Sequence, residues 1–249
     1  MTDIHTQITE LLKQLHMPTI RQSYEETAEL ARKESFSYEQ YLLELLKQEC
    51  EARRQNRIAR NLRDSKLPPS KTLENFDRKR LPHKVAAHLN VLIEGSFLNR
   101  CENILAFGNP GSGKTHLLCA IGHELIRIGK RALFTPCSQL VQTLLIAKRD
   151  LNLSKIFKKL SRYDAVIIDD IGYVQQSREE MEVLFTFLAD RYERGSIMIT
   201  SNLPFSKWEH IFKDPMTTAA AIDRLVHHSV VLELNLPCYR LEESKKPRR

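Results

Sequence analysis

Gly108-Asn109-Pro110-Gly111-Ser112-Gly113-Lys114-Thr115 sets two glycines, a lysine and a hydroxyl at the spacing G-x-x-x-x-G-K-T. Glycines let backbone N–H groups wrap a phosphate, and a helix starting there adds a favourable dipole. The lysine then reaches the β and γ phosphates and the Thr115 hydroxyl is a Mg²⁺ ligand. ATP and Mg²⁺ are the expected cofactors, with His116 the next residue of the site. A chance glycine turn would lack the context seen here, with apolar Ile104-Leu105-Ala106-Phe107 before the loop and Leu117-Leu118 after it.

Tyr163-Asp164-Ala165-Val166-Ile167-Ile168-Asp169-Asp170 reads as an apolar strand ending in two acids. Asp169 is placed to hold Mg²⁺ through water, and Asp170 to act as the general base on the attacking water, which makes hydrolysis the natural reaction. Acids at a strand end also cap helices. Ile197-Met198-Ile199-Thr200 is followed by Ser201-Asn202, whose amide can touch a γ-phosphate or orient the water; the plainer role is to open the turn at Leu203-Pro204. Arg224, in Ala220-Ala221-Ile222-Asp223-Arg224-Leu225, can reach a neighbouring subunit's γ-phosphate, while spacing alone favours a pair with Asp223 or another acid.

The elements that must position these groups follow from periodicity. Short apolar runs at Ile104–Phe107, Ala132–Thr135, Ala165–Ile168, Ile197–Thr200 and Val230–Leu234 alternate with helix-length segments, which predicts a five-stranded parallel sheet between helices. Ser177-Arg178-Glu179-Glu180 and Ser206-Lys207-Trp208-Glu209 fit capping boxes at two helix starts. Ahead of this α/β domain, Ile4, Ile8, Leu11, Leu12 and Leu15 predict an amphipathic helix ending before Pro18. A second helix runs from Pro18 to about Lys33, and a third from the capping box Ser37-Tyr38-Glu39-Gln40 to about Asp64. The expected organisation is a helical N-terminal domain over 1–66 and a linker with a pocket lead-in, Leu73-Glu74-Asn75-Phe76-Asp77, over 67–81. The ATPase domain then spans 82–241 and a basic tail 242–249.

Composition narrows the function classes. In 249 residues, 42% hydrophobic and 28% charged, no apolar run approaches a membrane span, and the N-terminus lacks a secretory pattern, so a cytoplasmic bacterial protein without a membrane partner is expected. Cys50, Cys101, Cys119, Cys137 and Cys238 are scattered and read as reduced thiols. The net charge of +7 is concentrated between Lys47 and Arg80 and in Lys245-Lys246-Pro247-Arg248-Arg249, which suggests a polyanionic partner. Of Arg53, Arg54, Arg57, Arg60 and Arg63, residues 53, 57 and 60 share one helix face. Two readings fit equally: a track for double-stranded DNA phosphates without base preference, or a solvated face paired with Glu49 and Glu51.

With the loop, the acids, Asn202 and Arg224 in order, the chain resembles the AAA+ ATPases, in the branch of helicase loaders and transposition helpers. Asp169-Asp170-Ile171-Gly172-Tyr173, Leu188-Ala189-Asp190-Arg191-Tyr192-Glu193-Arg194-Gly195-Ser196, Ile199-Thr200-Ser201-Asn202-Leu203-Pro204-Phe205 and Asp223-Arg224-Leu225-Val226-His227-His228-Ser229 look like the IstB-type helper of insertion sequences. The resemblance implies ATP-dependent assembly of a homo-oligomer on DNA and recruitment of a partner transposase; the runner-up is a replicative helicase loader. It also implies Walker B roles for Asp169 and Asp170, a sensor role for Asn202 and an arginine finger in Arg224. Asp170 is one methylene shorter than the family's usual Glu. About 15 residues follow the last strand, which suggests no C-terminal lid, with Arg240 as a candidate second sensor.

Overall fold

The computed structural model describes residues 3–171, 177–204, 208 and 225–239. The chain forms two compact units, Met1–Arg60 and Asn61–Arg249.

The first unit is helical: α1 (Ile4–Gln14), α2 (Pro18–Lys33) and most of α3 (Tyr38–Ser65). Pro18 sits at the first position of α2, where its missing N–H costs nothing. At the start of α3, Ser37 N donates to Gln40 Oε1 and Gln40 N to Ser37 Oγ, the reciprocal pair expected from the sequence. Glu49 of α3 is buried and accepts from Thr19 N (2.9 Å) and Ile20 N (3.2 Å), so a carboxylate from one helix caps the amino end of another. The division between units falls inside α3 rather than at its end. Physical continuity with the second unit explains this: Asn61 donates to the Lys130 carbonyl, and Ser65, Leu67 and Leu73 are buried.

In the second unit α4 (His83–Ile93) and α5 (Ser96–Asn99) precede β1 (Asn103–Phe107), α6 (Lys114–Arg127), β2 (Ala132–Pro136), α7 (Cys137–Arg149) and α8 (Leu153–Leu160). β3 (Ala165–Asp169), α9 (Arg178–Arg191), β4 (Ser196–Ser201) and β5 (Ser229–Glu233) follow. All strand pairs are parallel, in the order β2-β3-β4-β1-β5. Alternation along the strands splits their side chains between two layers. Leu105, Phe107, Val166, Ile168, Ile197 and Ile199 join α7, α8 and α9 in one core cluster. Ile167, of opposite parity, meets α6 at Gly122, where a Cβ would press on its side chain. The helices thus cover both faces of the sheet. At its amino edge the buried Arg191 guanidinium donates to the carbonyls of Leu160, Tyr163, Asp164 and Ser196, tying the approach to β3 to the approach to β4. The capping box at Ser177 and Glu180 is present; Ser206, Lys207 and Glu209 lie outside the described residues.

Candidate nucleotide site

β1 leads into the loop 108–113, and α6 begins at Lys114. Gly108 has φ +145° and lies so close to the Leu234 carbonyl that a Cβ would overlap it, so glycine is required here by both dihedral and space. Gly111, at φ +77°, is packed against Cys238 Sγ, and Tyr239 N donates to Gly111 O at 3.0 Å. The segment after β5 therefore lies along the loop like a strap. Arg80, from the lead-in, donates to the Pro237 carbonyl at 3.0 Å and stacks over the Tyr239 ring.

Lys114 is only 6% exposed, and its Nζ donates to Gly108 O and Asn109 O, both at 2.9 Å. Burial pushes its pKa below the usual lysine range, against the pull of Asp170 and Asp169. Ser112 Oγ is buried without a hydrogen-bond partner among the described residues. A loop holding a buried cation on its own carbonyls beside an orphaned hydroxyl fits a phosphate chain, whose oxygens accept from both. His116 points elsewhere than the phosphate loop: its Nε2 bonds the Thr72 carbonyl at 2.9 Å and its ring meets Phe76 edge-on. Phe76 in turn borders Gly113. His116 thus fastens the lead-in segment to the first turn of α6, and burial lowers its pKa.

The sheet order brings the other groups in. β4 lies between β1 and β3, so its carboxyl end stands between the phosphate loop and the acids. Thr200 Oγ1 donates to Asp169 Oδ1 at 2.7 Å and accepts from Asp170 N at 2.8 Å. Asn202 Nδ2 donates to Asp170 Oδ1 at 3.1 Å. Asp170 has φ +66°, a left-handed conformation that turns its carboxylate away from the strand direction. Burial first, and then the Asp169 charge, raise its pKa, with Lys114 opposing. Asp169, Asp170, Asn202 and Lys114 are thereby one electrostatic group, and Thr200 is the member that the sequence reading missed. Strand alternation carried the signal: Thr200 shares a face with Met198, and Asp169 shares one with Ile167 in the paired register Ile167↔Met198.

A family model described as IstB-like ATP binding protein matches residues 10–247. The chain belongs to the IstB-like ATP-binding family. An insertion-sequence ATP-binding protein of Sinorhizobium fredii is 41% identical over all of this chain and 86% of its own length. The IS21 insertion-sequence ATP-binding protein of Pseudomonas aeruginosa is 38% identical, over 95% of this chain and 89% of that one. Among solved structures, the DnaC helicase loader superposes with TM-score 0.56 at 17% identity, over 67% of this chain and 98% of that one. The fold of this IstB-like chain is thus the α/β P-loop fold of AAA+ ATPases.

Arg224 and Arg240 lie outside the described residues. Of the five arginines singled out for DNA, Arg53 pairs with Glu49 at 2.8 Å and donates to His16 O, and Arg54 pairs loosely with Glu51 at 3.7 Å. Arg57, Arg60 and Arg63 have no ion-pair partner among the described residues. A further basic face was not anticipated. α8 turns Ile156, Phe157 and Leu160 to the core and exposes Lys155, Lys158, Lys159 and, just beyond it, Arg162, none of them ion-paired among the described residues. Its signal is legible in hindsight, because residues 151–163 contain no carboxylate.

Proposed function

We propose that this IstB-like chain is a Mg²⁺-dependent ATPase that assembles on double-stranded DNA without sequence preference and engages a partner transposase. The observation that carries the hydrolytic part is the bond from Asn202 Nδ2 to Asp170 Oδ1 in an arrangement where Thr200 holds Asp169 and Asp170 together. Residues 108–115 would hold ATP, with Lys114 neutralising phosphate charge and the Thr115 hydroxyl and Asp169 holding Mg²⁺, while His116 holds the lead-in segment beside them. ATP supplies the phosphoanhydride and Mg²⁺ the charge that polarises it. Asp170 accepts the proton of the attacking water, and its raised pKa brings its basicity closer to what that transfer needs. Asn202 fixes the Asp170 carboxylate and keeps a second N–H for the water. Arg224 acts as the arginine finger across a subunit boundary and Arg240 as a second sensor.

Insertion-sequence relatives supply the context for a transposase partner, and the unpaired cations of α3 and α8 supply phosphate contacts. ATP turnover measured with and without duplex DNA and the transposase encoded beside this gene tests the proposal. Stimulation by either supports it, and indifference to both rejects it. A helicase loader is the second reading, favoured by the DnaC-like fold; preferential capture of the host replicative helicase over the transposase would establish it.

A further inference from the structure

The N-terminal unit is built with very little interior. Between residues 4 and 60 only Ile20 and Leu45 are buried apolar side chains, and the buried polar Thr27 and Glu49 complete the list. A helical unit of this size with so small a core leaves several large apolar side chains in water. That surface is ordered. Ile4 and Leu11 of α1 and Leu15, which caps its carboxyl end, lie at i, i+7 and i+11, exposed by 73%, 56% and 61%, so they form one stripe. Tyr38, Leu42 and Leu46 form a second, at i, i+4 and i+8 on α3, exposed by 94%, 55% and 40%. Leu30 of α2 and Leu43 of α3 are exposed as well, by 44% and 51%, and exposed apolar rows of this kind mark an interaction site.

Charge says what kind of partner fits. Residues 1–52 carry ten carboxylates against five lysines and arginines, although the whole chain has 38 lysines and arginines against 31 acids. The acids thus surround the two stripes, while the four arginines that complete the unit, Arg53, Arg54, Arg57 and Arg60, follow them toward the carboxyl end of α3, so the stripe-bearing part disfavours nucleic acid and favours a basic protein segment. The rest of the chain is basic, but among the described residues its exposed apolar side chains are scattered over α4, α7, β5 and intervening turns. A second copy therefore offers the charge without the apolar ridge.

We propose that α1 and α3 form a docking surface for a basic, apolar-faced helical segment of another protein, which on the reading above is the transposase. The N-terminal unit is then the protein-binding part of the chain, and DNA is left to the cations that begin at Arg57.

The test uses the full-length chain with the purified cognate transposase. Leu11→Glu with Leu15→Glu, and separately Leu42→Glu with Leu46→Glu, should each weaken transposase binding by about tenfold or more. DNA affinity and basal ATP turnover should stay at the wild-type level. Glu10→Lys with Glu39→Lys, on α1 and α3 and next to the stripe residues Leu11 and Tyr38, keeps the apolar stripes and should weaken the same binding and flatten its salt dependence. Unchanged helical circular dichroism confirms that the unit is intact; the milder Leu11→Ala serves where a double variant unfolds. Wild-type transposase affinity in all of these variants overturns the proposal. So does loss of ATP-dependent self-association with transposase binding intact, which would give the surface to a second copy. A wild-type chain that binds no transposase in any nucleotide state rejects the proposed function itself, and the docking assignment with it.

Discussion

In the ATPase unit Leu117, Leu118, Ile121, Leu125 and Ile126 of α6 are all fully buried, whereas α1 of the N-terminal unit buries no residue at all. Both helices are amphipathic, so periodicity alone does not separate them. What differs is the supply of partners. α6 starts beside a strand and is enclosed by a five-stranded parallel sheet, and the site depends on that rigidity, since Lys114, Asp169 and Asn202 come from three different parts of the chain. The N-terminal helices have no sheet to close on. They are held by a few polar contacts, with Glu49 at the amino end of α2 and the Tyr41 hydroxyl on the Tyr24 carbonyl, and their apolar residues remain available. A rigid unit suits chemistry, and an unfinished one suits recruitment.

The contrast can be broken most directly at the site. Asp170→Asn should lower ATP turnover by about 10²- to 10⁴-fold in a single-turnover assay while leaving transposase capture through α1 and α3 intact. In the wild type, the acid limb of the kcat/KM profile, which reports the nucleotide-free site, should be displaced upward from the ordinary aspartate value, because the base must be ionised and burial raises its pKa. An acid limb at an ordinary aspartate value removes Asp170 from that role.

Stability sharpens the same contrast. Phe187→Ala, at a fully buried position, should destabilise the ATPase unit by about 3–5 kcal/mol. Leu15→Ala, exposed on α1, should change stability by no more than about 0.5 kcal/mol. Urea unfolding reads the first through Trp208, the only tryptophan, which is buried against Phe107 in the ATPase unit. Far-UV circular dichroism reads the second. Equal costs at the two positions would mean that the N-terminal unit has a core after all.

Glu49→Gln should cost the N-terminal unit about 1–3 kcal/mol, because two amide donors and Arg53 lose a charged acceptor. Burial raises the Glu49 pKa, but the Arg53 bond and the backbone donors outweigh it and the net shift is downward. A depressed folded pKa gives stability that is present above the unfolded carboxylate value and lost as pH falls through the folded one. The N-terminal helices should therefore melt first on acidification, with Trp208 fluorescence unchanged.

Thr200→Val has the smallest expected effect, about a tenfold fall in turnover with weaker Mg²⁺ dependence, since both acids keep their charges but lose the hydroxyl that aligns them. A variant indistinguishable from wild type would reduce Thr200 to a strand residue.

How much of this was legible depends on how local the cause is. The loop at 108–115, the capping boxes at Ser37 and Ser177 and the strand positions are written in neighbouring residues, and each strand lies within a residue of its expected ends. Thr200, Arg191 and Glu49 are different. Each acts on a group roughly thirty residues away, so its role exists only once the register of the sheet or the packing of the helices is fixed. The exposed apolar stripes were also hidden. Ile4, Leu11 and Leu15 have the spacing of a buried face, and only the fold shows that the packing of the N-terminal helices leaves them exposed.

The strap after β5 gives the phosphate loop a mechanical connection. Because Cys238 rests on Gly111 and Tyr239 holds the Gly111 carbonyl, the loop cannot change shape without moving the segment that emerges from the last strand. A change in the shape of the loop on filling is therefore expected to move Cys238 and Tyr239 with it. Cys238, half-buried at that junction and in contact with Gly111, is a natural seat for a thiol-linked fluorophore that reports nucleotide occupancy from the edge of the loop.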